Sequence, residues 1–222
     1  MFPRSKLYSN KPNMAADAAG NGANMELLSR IKSAVETERD AINALLDMLG
    51  PEHEAVAQAI MECKGRVVFL GVGKSAHIGK KLAATFASTG TVAGFVHGTE
   101  ACHGDLGMIT AQDLVILISN SGNTVEVTQN IAPLRAIGSK LVAFTAGRES
   151  VLAKGCDLLL PIPKLPEADD NNLAPTNSST MTLVIGDALA VAVSSARNFG
   201  RQDFYRYHPN GALGAALKKE QV

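Results

Sequence analysis

The stretch RVVFLGVGKSAHIGKK, residues 66–81, decides the fold. It opens with a continuous, β-branched apolar run and passes through a glycine-rich turn into a helical pattern. A short apolar run that does not alternate marks a strand buried on both faces. Four more runs follow at intervals filled by helical patterns: TVAGFVH (91–97), LVILIS (114–119), KLVAFT (140–145) and DLLLPI (157–162). Parallel strands need crossover connections. Five such runs alternating with helices therefore predict an α/β fold: a doubly wound, five-stranded parallel sheet flanked by helices, a three-layer sandwich of the flavodoxin or Rossmann kind.

Outward from this core the patterns change. From residue 25 to 63 the apolar positions Leu27, Leu28, Ile31, Val35, Ala41, Ile42, Leu45 and Leu46 fall at helical spacing, and Gly50-Pro51 divides them into two helices. Residues 176–198 read as a helix capped by Thr176 and apolar on nearly every side, hence buried, in part against another subunit. Residues 1–24, rich in Asn, Ala, Gly and Pro without periodicity, read as a mobile tail. Residues 25–222 read as one domain.

Composition bounds the function. Apolar residues make up 46 % and charged residues 19 % of the 222, which suits a globular core. Lys plus Arg total 21, as do Asp plus Glu, so no net field attracts nucleic acid or a membrane. An anion must be held by local geometry, which favours a small ligand. Cys63, Cys102 and Cys156 form no CxxC pair, which points to reduced thiols in the cytoplasm. The N-terminus shows no secretory h-region, and the apolar run 181–193, interrupted by Asp187, is too short to span a bilayer.

In open α/β sheets ligands bind beyond the carboxyl ends of the strands. The loop after the first strand is not a Walker A loop, because the required first glycine is Val68. A dinucleotide fingerprint expects an acid at the end of the second strand, and His97 stands there. Gly73, Ser75 and the helix they begin still offer backbone amides to an anion, with Lys74 beside them. After the third strand, Ser119-Asn120-Ser121-Gly122-Asn123-Thr124 presents more hydroxyls than helix capping needs, the pattern of a phosphate cradle. Thr176, Ser178, Ser179 and Thr180 form a further hydroxyl cluster at the start of the last helix. Three such sites in a neutral chain point to a phosphorylated small molecule.

Acid/base candidates cluster after the second strand, in His97, Glu100, His103 and Asp105, with His208 near the C-terminus. Their spacing matches no standard ligand pattern, so neither a metal nor another cofactor is expected. A Cys102–His103 nucleophile pair is disfavoured because adjacent side chains rarely face each other.

Together these stretches resemble the SIS (sugar isomerase) domain. Residues 71–110, ISNSGNTVE (118–126), LAPTNSST (173–180), GDALAVAV (186–193) and HPNGALG (208–214) are similar to the signature of its arabinose-5-phosphate isomerases. The resemblance implies interconversion of D-ribulose 5-phosphate and D-arabinose 5-phosphate through a cis-enediol, feeding Kdo synthesis for lipopolysaccharide or capsule. It carries the catalytic set onto Lys74, His103, Glu126, Glu167 and His208. Either carboxylate or a histidine is then the carbon base, a carboxylate with its pKa raised by burial. The resemblance further implies a homo-oligomer, commonly a tetramer, in which His208 enters a neighbour's site. Alternatives are an isomerase of another sugar phosphate and a non-catalytic phosphosugar sensor. The chain departs from the family pattern in Asp169, Asp170, Asn171 and Asn172, in His97-Gly98-Thr99, at Asn210, and in ending without the CBS domains many members carry.

Overall fold

The computed structural model describes residues 27–208; the expectations for residues 1–24 and for the turn 209–214 lie outside them. The helices α1 (Leu27–Met48) and α2 (Pro51–Glu62) break at Gly50-Pro51, where proline enters at the first position of α2. The strands are β1 (Val67–Gly71), β2 (Ala93–His97), β3 (Leu114–Ile118), β4 (Lys140–Thr145) and β5 (Leu158–Pro161). They pair in parallel in the order β2-β1-β3-β4-β5, with Val68 beside Val115 and Val115 beside Leu141. The α/β doubly wound sheet is thus as the apolar runs predicted.

Between the strands run α3 (Gly73–Ser88), the short α4 (Gly98–Ala101) with a 3-10 turn at Asp105–Met108, then α5 (Val125–Thr128), α6 (Ile131–Ile137) and α7 (Val151–Gly155). The chain closes with α8 (Asn177–Ala196) and α9 (Arg201–Tyr207). Because successive side chains point to opposite faces, each central strand feeds two cores. Val67, Phe69, Leu114, Ile116, Val142 and Phe144 pack beneath α1, α2, α3 and α8. Val68, Leu70, Val115, Leu117, Leu141 and Ala143 pack on the other face with Val127, Leu134 and Leu152. Only the inner strands are buried throughout their apolar length. At the edges, Ala93, Gly94 and Phe95 of β2 and Leu158 and Leu159 of β5 stay half-buried.

Polar pins fix the layers. His53, 7 % exposed, accepts the Gly50 N–H at Nδ1 (3.3 Å) and donates from Nε2 to the Pro161 carbonyl (3.0 Å), tying α2 to the end of β5. Asp113, 3 % exposed, accepts the N–H groups of Arg66 (2.6 Å) and Thr110 (2.8 Å), locking the start of β3 to β1. Burial raises the Asp113 pKa, but those donors outweigh it and hold the group below the usual carboxylate value. Burial, helped by Asp157, pushes the Cys156 thiol up to about 12, which makes it a packing group and not a nucleophile. Helix α8 is long and apolar enough to cross a membrane by length and composition, contrary to the short run counted in the sequence. Its buried face, with Met181, Ile185, Leu189 and Val193, packs in the core against α3 and α1.

Candidate active site

The strand order reverses at β1, whose neighbours β2 and β3 lie on opposite sides, and a crevice opens there at the carboxyl edge. A cavity of about 420 Å³ fills it. Its walls are Lys74, Ser75 and Ile78 from α3, Ser119, Asn120, Ser121 and Thr124 after β3, and Pro175, Ser178, Ser179 and Thr182 at the start of α8. Stretches about a hundred residues apart in sequence therefore meet in one site.

The loop after β3 is shaped from within. Ser119, 3 % exposed, shares a hydrogen bond with Thr124 (Oγ to Oγ1, 2.9 Å) and accepts the Gly122 N–H at Oγ (3.1 Å). Thr145 Oγ1 donates to the Asn120 carbonyl (3.0 Å), and the Gly122 carbonyl accepts the Leu152 N–H (3.0 Å). Gly122 holds φ +69° at the tip, a conformation L side chains resist. Gly73, at φ +57°, starts α3 so that Lys74 and Ser75 lie in its first turn. Amides at a helix start face an anion favourably.

The start of α8 corrects three expectations. Thr176 occupies the N-cap position, yet its side chain makes no capping bond. Glu167 does that work instead. Its Oε2 accepts the N–H groups of Thr176 (2.8 Å) and Ser178 (3.1 Å) and the Thr176 hydroxyl (3.2 Å), and its Oε1 accepts the Ser178 hydroxyl (2.5 Å). This helix end is consequently not an open anion site, since a carboxylate of the same chain fills it. The expected rise in the Glu167 pKa is also overturned. Burial pushes it up, but the donors from Ser178 and Thr176 prevail and leave the carboxyl below its ordinary value.

Of the predicted residues, Lys74, Ser75, Ser119, Asn120, Ser121, Thr124, Ser178 and Ser179 line the cavity. Thr176 turns to Glu167, and Thr180 donates to Glu38 of α1 (2.7 Å). His103, just past α4, and Glu126, on α5, are exposed side chains outside the lining set. His208 ends α9 stacked on Phe204 (ring centroids 4.0 Å apart), with Nδ1 3.0 Å from the Phe204 carbonyl. His97 accepts the Thr99 N–H (3.4 Å) as the cap of α4.

Several residues escaped the sequence reading: Ile78, Pro175 and Thr182, which line the cavity, and Asn130, which lies outside that lining. Asn130, fully buried, donates from Nδ2 to the carbonyls of Gly98 (3.0 Å) and Glu126 (2.8 Å), and its Oδ1 takes the Cys102 thiol (3.3 Å). It ties the His103 stretch to the Glu126 stretch. The signal was a polar side chain at core spacing, between Val127 and Leu134. The residues that depart from the family pattern also have a task. Asn172 Oδ1 accepts the Glu167 N–H (2.7 Å), and Asp169 Oδ1 accepts the N–H groups of Leu173 (3.0 Å) and Ala174 (2.9 Å). They shape the loop that carries Glu167.

Comparison with known proteins agrees with this fold. Residues 60–192 match the model of the SIS domain. The chain is 45 % identical over 194 residues to the arabinose 5-phosphate isomerase KdsD of Pseudomonas aeruginosa, covering 87 % of this chain and 60 % of that protein. It is 47 % identical over 186 residues to KdsD of Escherichia coli K12, covering 84 % of this chain and 57 % of that one. The chain thus spans less than two thirds of the length of these curated relatives. Among solved structures, the c3406 protein of E. coli CFT073, in complex with arabinose 5-phosphate, superposes with a TM-score of 0.82 at 49 % identity, covering 84 % of this chain and 99 % of that one.

Proposed function

The chain belongs to the SIS-domain family, and from that premise we propose that it is an aldose–ketose isomerase interconverting D-arabinose 5-phosphate and D-ribulose 5-phosphate. The observation that carries this reading is the cavity where Lys74 and Ser75 face the Ser119–Thr124 loop, the cradle a phosphorylated pentose requires. The names of the relatives support the same substrate.

The reaction moves a proton between C1 and C2 and protons at the two oxygens, so it needs a base at carbon and an acid/base at oxygen. The hydroxyls of Ser119, Ser121 and Thr124 and the first turn of α3 hold the phosphate. Lys74, which pairs with no carboxylate among the described residues, is the electrostatic partner of the phosphate or of the developing enediolate. His103 and Glu126, on the stretches Asn130 joins, are the proton-transfer candidates of this chain. His208 completes the set from a neighbouring subunit of a homo-oligomer, a tetramer on this reading. The enzyme works in the cytoplasm and supplies Kdo synthesis for lipopolysaccharide or capsule.

The test is turnover of both sugar phosphates by the purified protein, beside Lys74→Ala and His208→Ala. Conversion in both directions that collapses in the variants supports the assignment. Tight binding without turnover would make the chain a phosphosugar sensor. Neither binding nor turnover would point to a larger sugar phosphate.

A further inference from the structure

The cavity walls differ in hydrogen-bond polarity. On one side stand groups with hydrogens to give. Lys74 carries an ammonium, Ser75 makes no side-chain bond to the described residues, and Ser121 Oγ only accepts, from the Asn123 N–H (3.2 Å). On the α8 side every hydroxyl hydrogen is already engaged by an atom that cannot donate back. Ser178 gives its hydrogen to Glu167 Oε1 (2.5 Å), Ser179 to the carbonyls of Thr176 (2.9 Å) and Pro175 (3.1 Å), and Thr182 to the Ser178 carbonyl (2.7 Å). A hydroxyl whose hydrogen is engaged keeps only lone pairs to offer.

A second observation agrees. A 20-residue helix starting at a cavity would ordinarily be an anion site. Here the Glu167 carboxylate accepts the N–H groups of Thr176 and Ser178 and both their hydroxyls. A phosphate there would meet a fixed negative charge and hydroxyls with nothing to donate. The donors of the opposite wall suit it, and the α8 wall suits a ligand that itself donates. On a sugar phosphate those donors are the chain hydroxyls.

Resting on the isomerase reading, we infer that the α8 wall, through Ser178, Ser179 and Thr182, is the acceptor subsite for the sugar hydroxyls, and that Glu167 is a positioning residue, setting Ser178 as an acceptor and taking no part in proton transfer. The carboxylate is surrounded by four donors from its own chain, which leaves it poorly disposed to take a proton from carbon. Its anchoring by Asn172 makes the loop a rigid support for that single task.

Steady-state kinetics with arabinose 5-phosphate, and competition by inorganic phosphate, test this in Glu167→Gln and Thr182→Val. The glutamine amide still accepts the backbone N–H groups, but its NH₂ faces Ser178 and turns that hydroxyl's hydrogen toward the cavity. Thr182→Val deletes an acceptor at nearly constant volume, and thermal unfolding checks that both variants fold. The expected result is a KM raised about tenfold, the size of one lost hydrogen bond, with the inhibition constant of phosphate within about twofold and the pH profile of kcat unmoved. A fall in kcat of about 10²–10⁴ at unchanged KM in Glu167→Gln would mark a general base and overturn the inference. So would a phosphate inhibition constant that rises in step with KM. Should the wild type not turn over at all, the isomerase reading falls separately. The subsite is then judged by calorimetry, D-arabinitol 5-phosphate against inorganic phosphate. Loss of the polyol's extra affinity in Thr182→Val supports the subsite, and no loss overturns it.

Discussion

Gly122→Ala separates backbone strain from steric overlap at the tip of the loop that shapes the site. Gly122 holds φ +69°, and a Cβ there would lie 2.0 Å from Ser150 Oγ, 2.5 Å from Ser150 Cβ and 2.8 Å from Thr145 Oγ1. Neither neighbour is a loose chain end. Ser150, 5 % exposed, caps α7 by accepting the Ala153 N–H (3.2 Å), and Thr145, fully buried, holds the Asn120 carbonyl (3.0 Å). The left-handed backbone costs an alanine about 1–2 kcal/mol, and forcing a methyl into packed neighbours about 1–3 kcal/mol more. Gly73→Ala is the control: φ +57° with nothing within 4 Å of the new Cβ, so only the backbone term applies. Urea unfolding at one protomer concentration is expected to show Gly73→Ala down by about 1 kcal/mol and Gly122→Ala by about 2–5 kcal/mol. Against a total of about 5–15 kcal/mol, the second loss is large. Phosphate competition should weaken in Gly122→Ala, because relieving the overlap moves the loop that carries Ser119 and Thr124. Equal losses in the two variants would refute the steric argument, and a Gly122→Ala protein within about 1 kcal/mol of wild type would refute the whole reasoning.

Two further expectations concern buried polar groups. Asn130→Ala removes the donor to the Gly98 and Glu126 carbonyls, and unsatisfied buried groups of that kind cost about 1–3 kcal/mol each. Turnover should fall more than phosphate affinity, since the cradle itself is left untouched; equal falls in both would show that the substitution merely loosens the fold. The lowered carboxyl of Asp113 makes stability depend on acid. A group whose folded pKa lies below its unfolded value contributes stability above the unfolded value, and that stability is lost as pH falls through the folded one. Melting temperatures should therefore hold from neutrality down to the ordinary carboxylate range near 3.8 and drop below it, and Asp113→Asn should start lower and fall less. An unchanged pH slope in that variant would contradict the assignment.

Much of the site was legible because its chemistry is local. Lys74 and Ser75 follow one strand, Ser119 to Thr124 another, and the fold class already says which ends of the strands they crown. The helix start at Thr176 was legible too, but not the group that caps it. Thr176 is the residue type capping rules favour, and the sequence carries no sign that a glutamate nine positions earlier folds back to take the same amides. The opposite direction of the Glu167 pKa follows from the same oversight, since burial can be guessed from a sequence while four converging donors cannot.

What the sequence by itself determined is the five strands, the helices α1, α2 and α8 and the donor loops, though not α9, because apolar periodicity and turn chemistry are properties of neighbouring residues. Only the tertiary structure decided the rest: the order β2-β1-β3-β4-β5, the pin at Asn130, and the meeting of the α3, β3 and α8 ends around one cavity. The physical reason is that a hydrogen bond's direction and a group's pKa depend on which atoms lie within about 3 Å. For Glu167, Asn130 and Asp113 several of those atoms come from remote segments, which are neighbours only once the chain has folded.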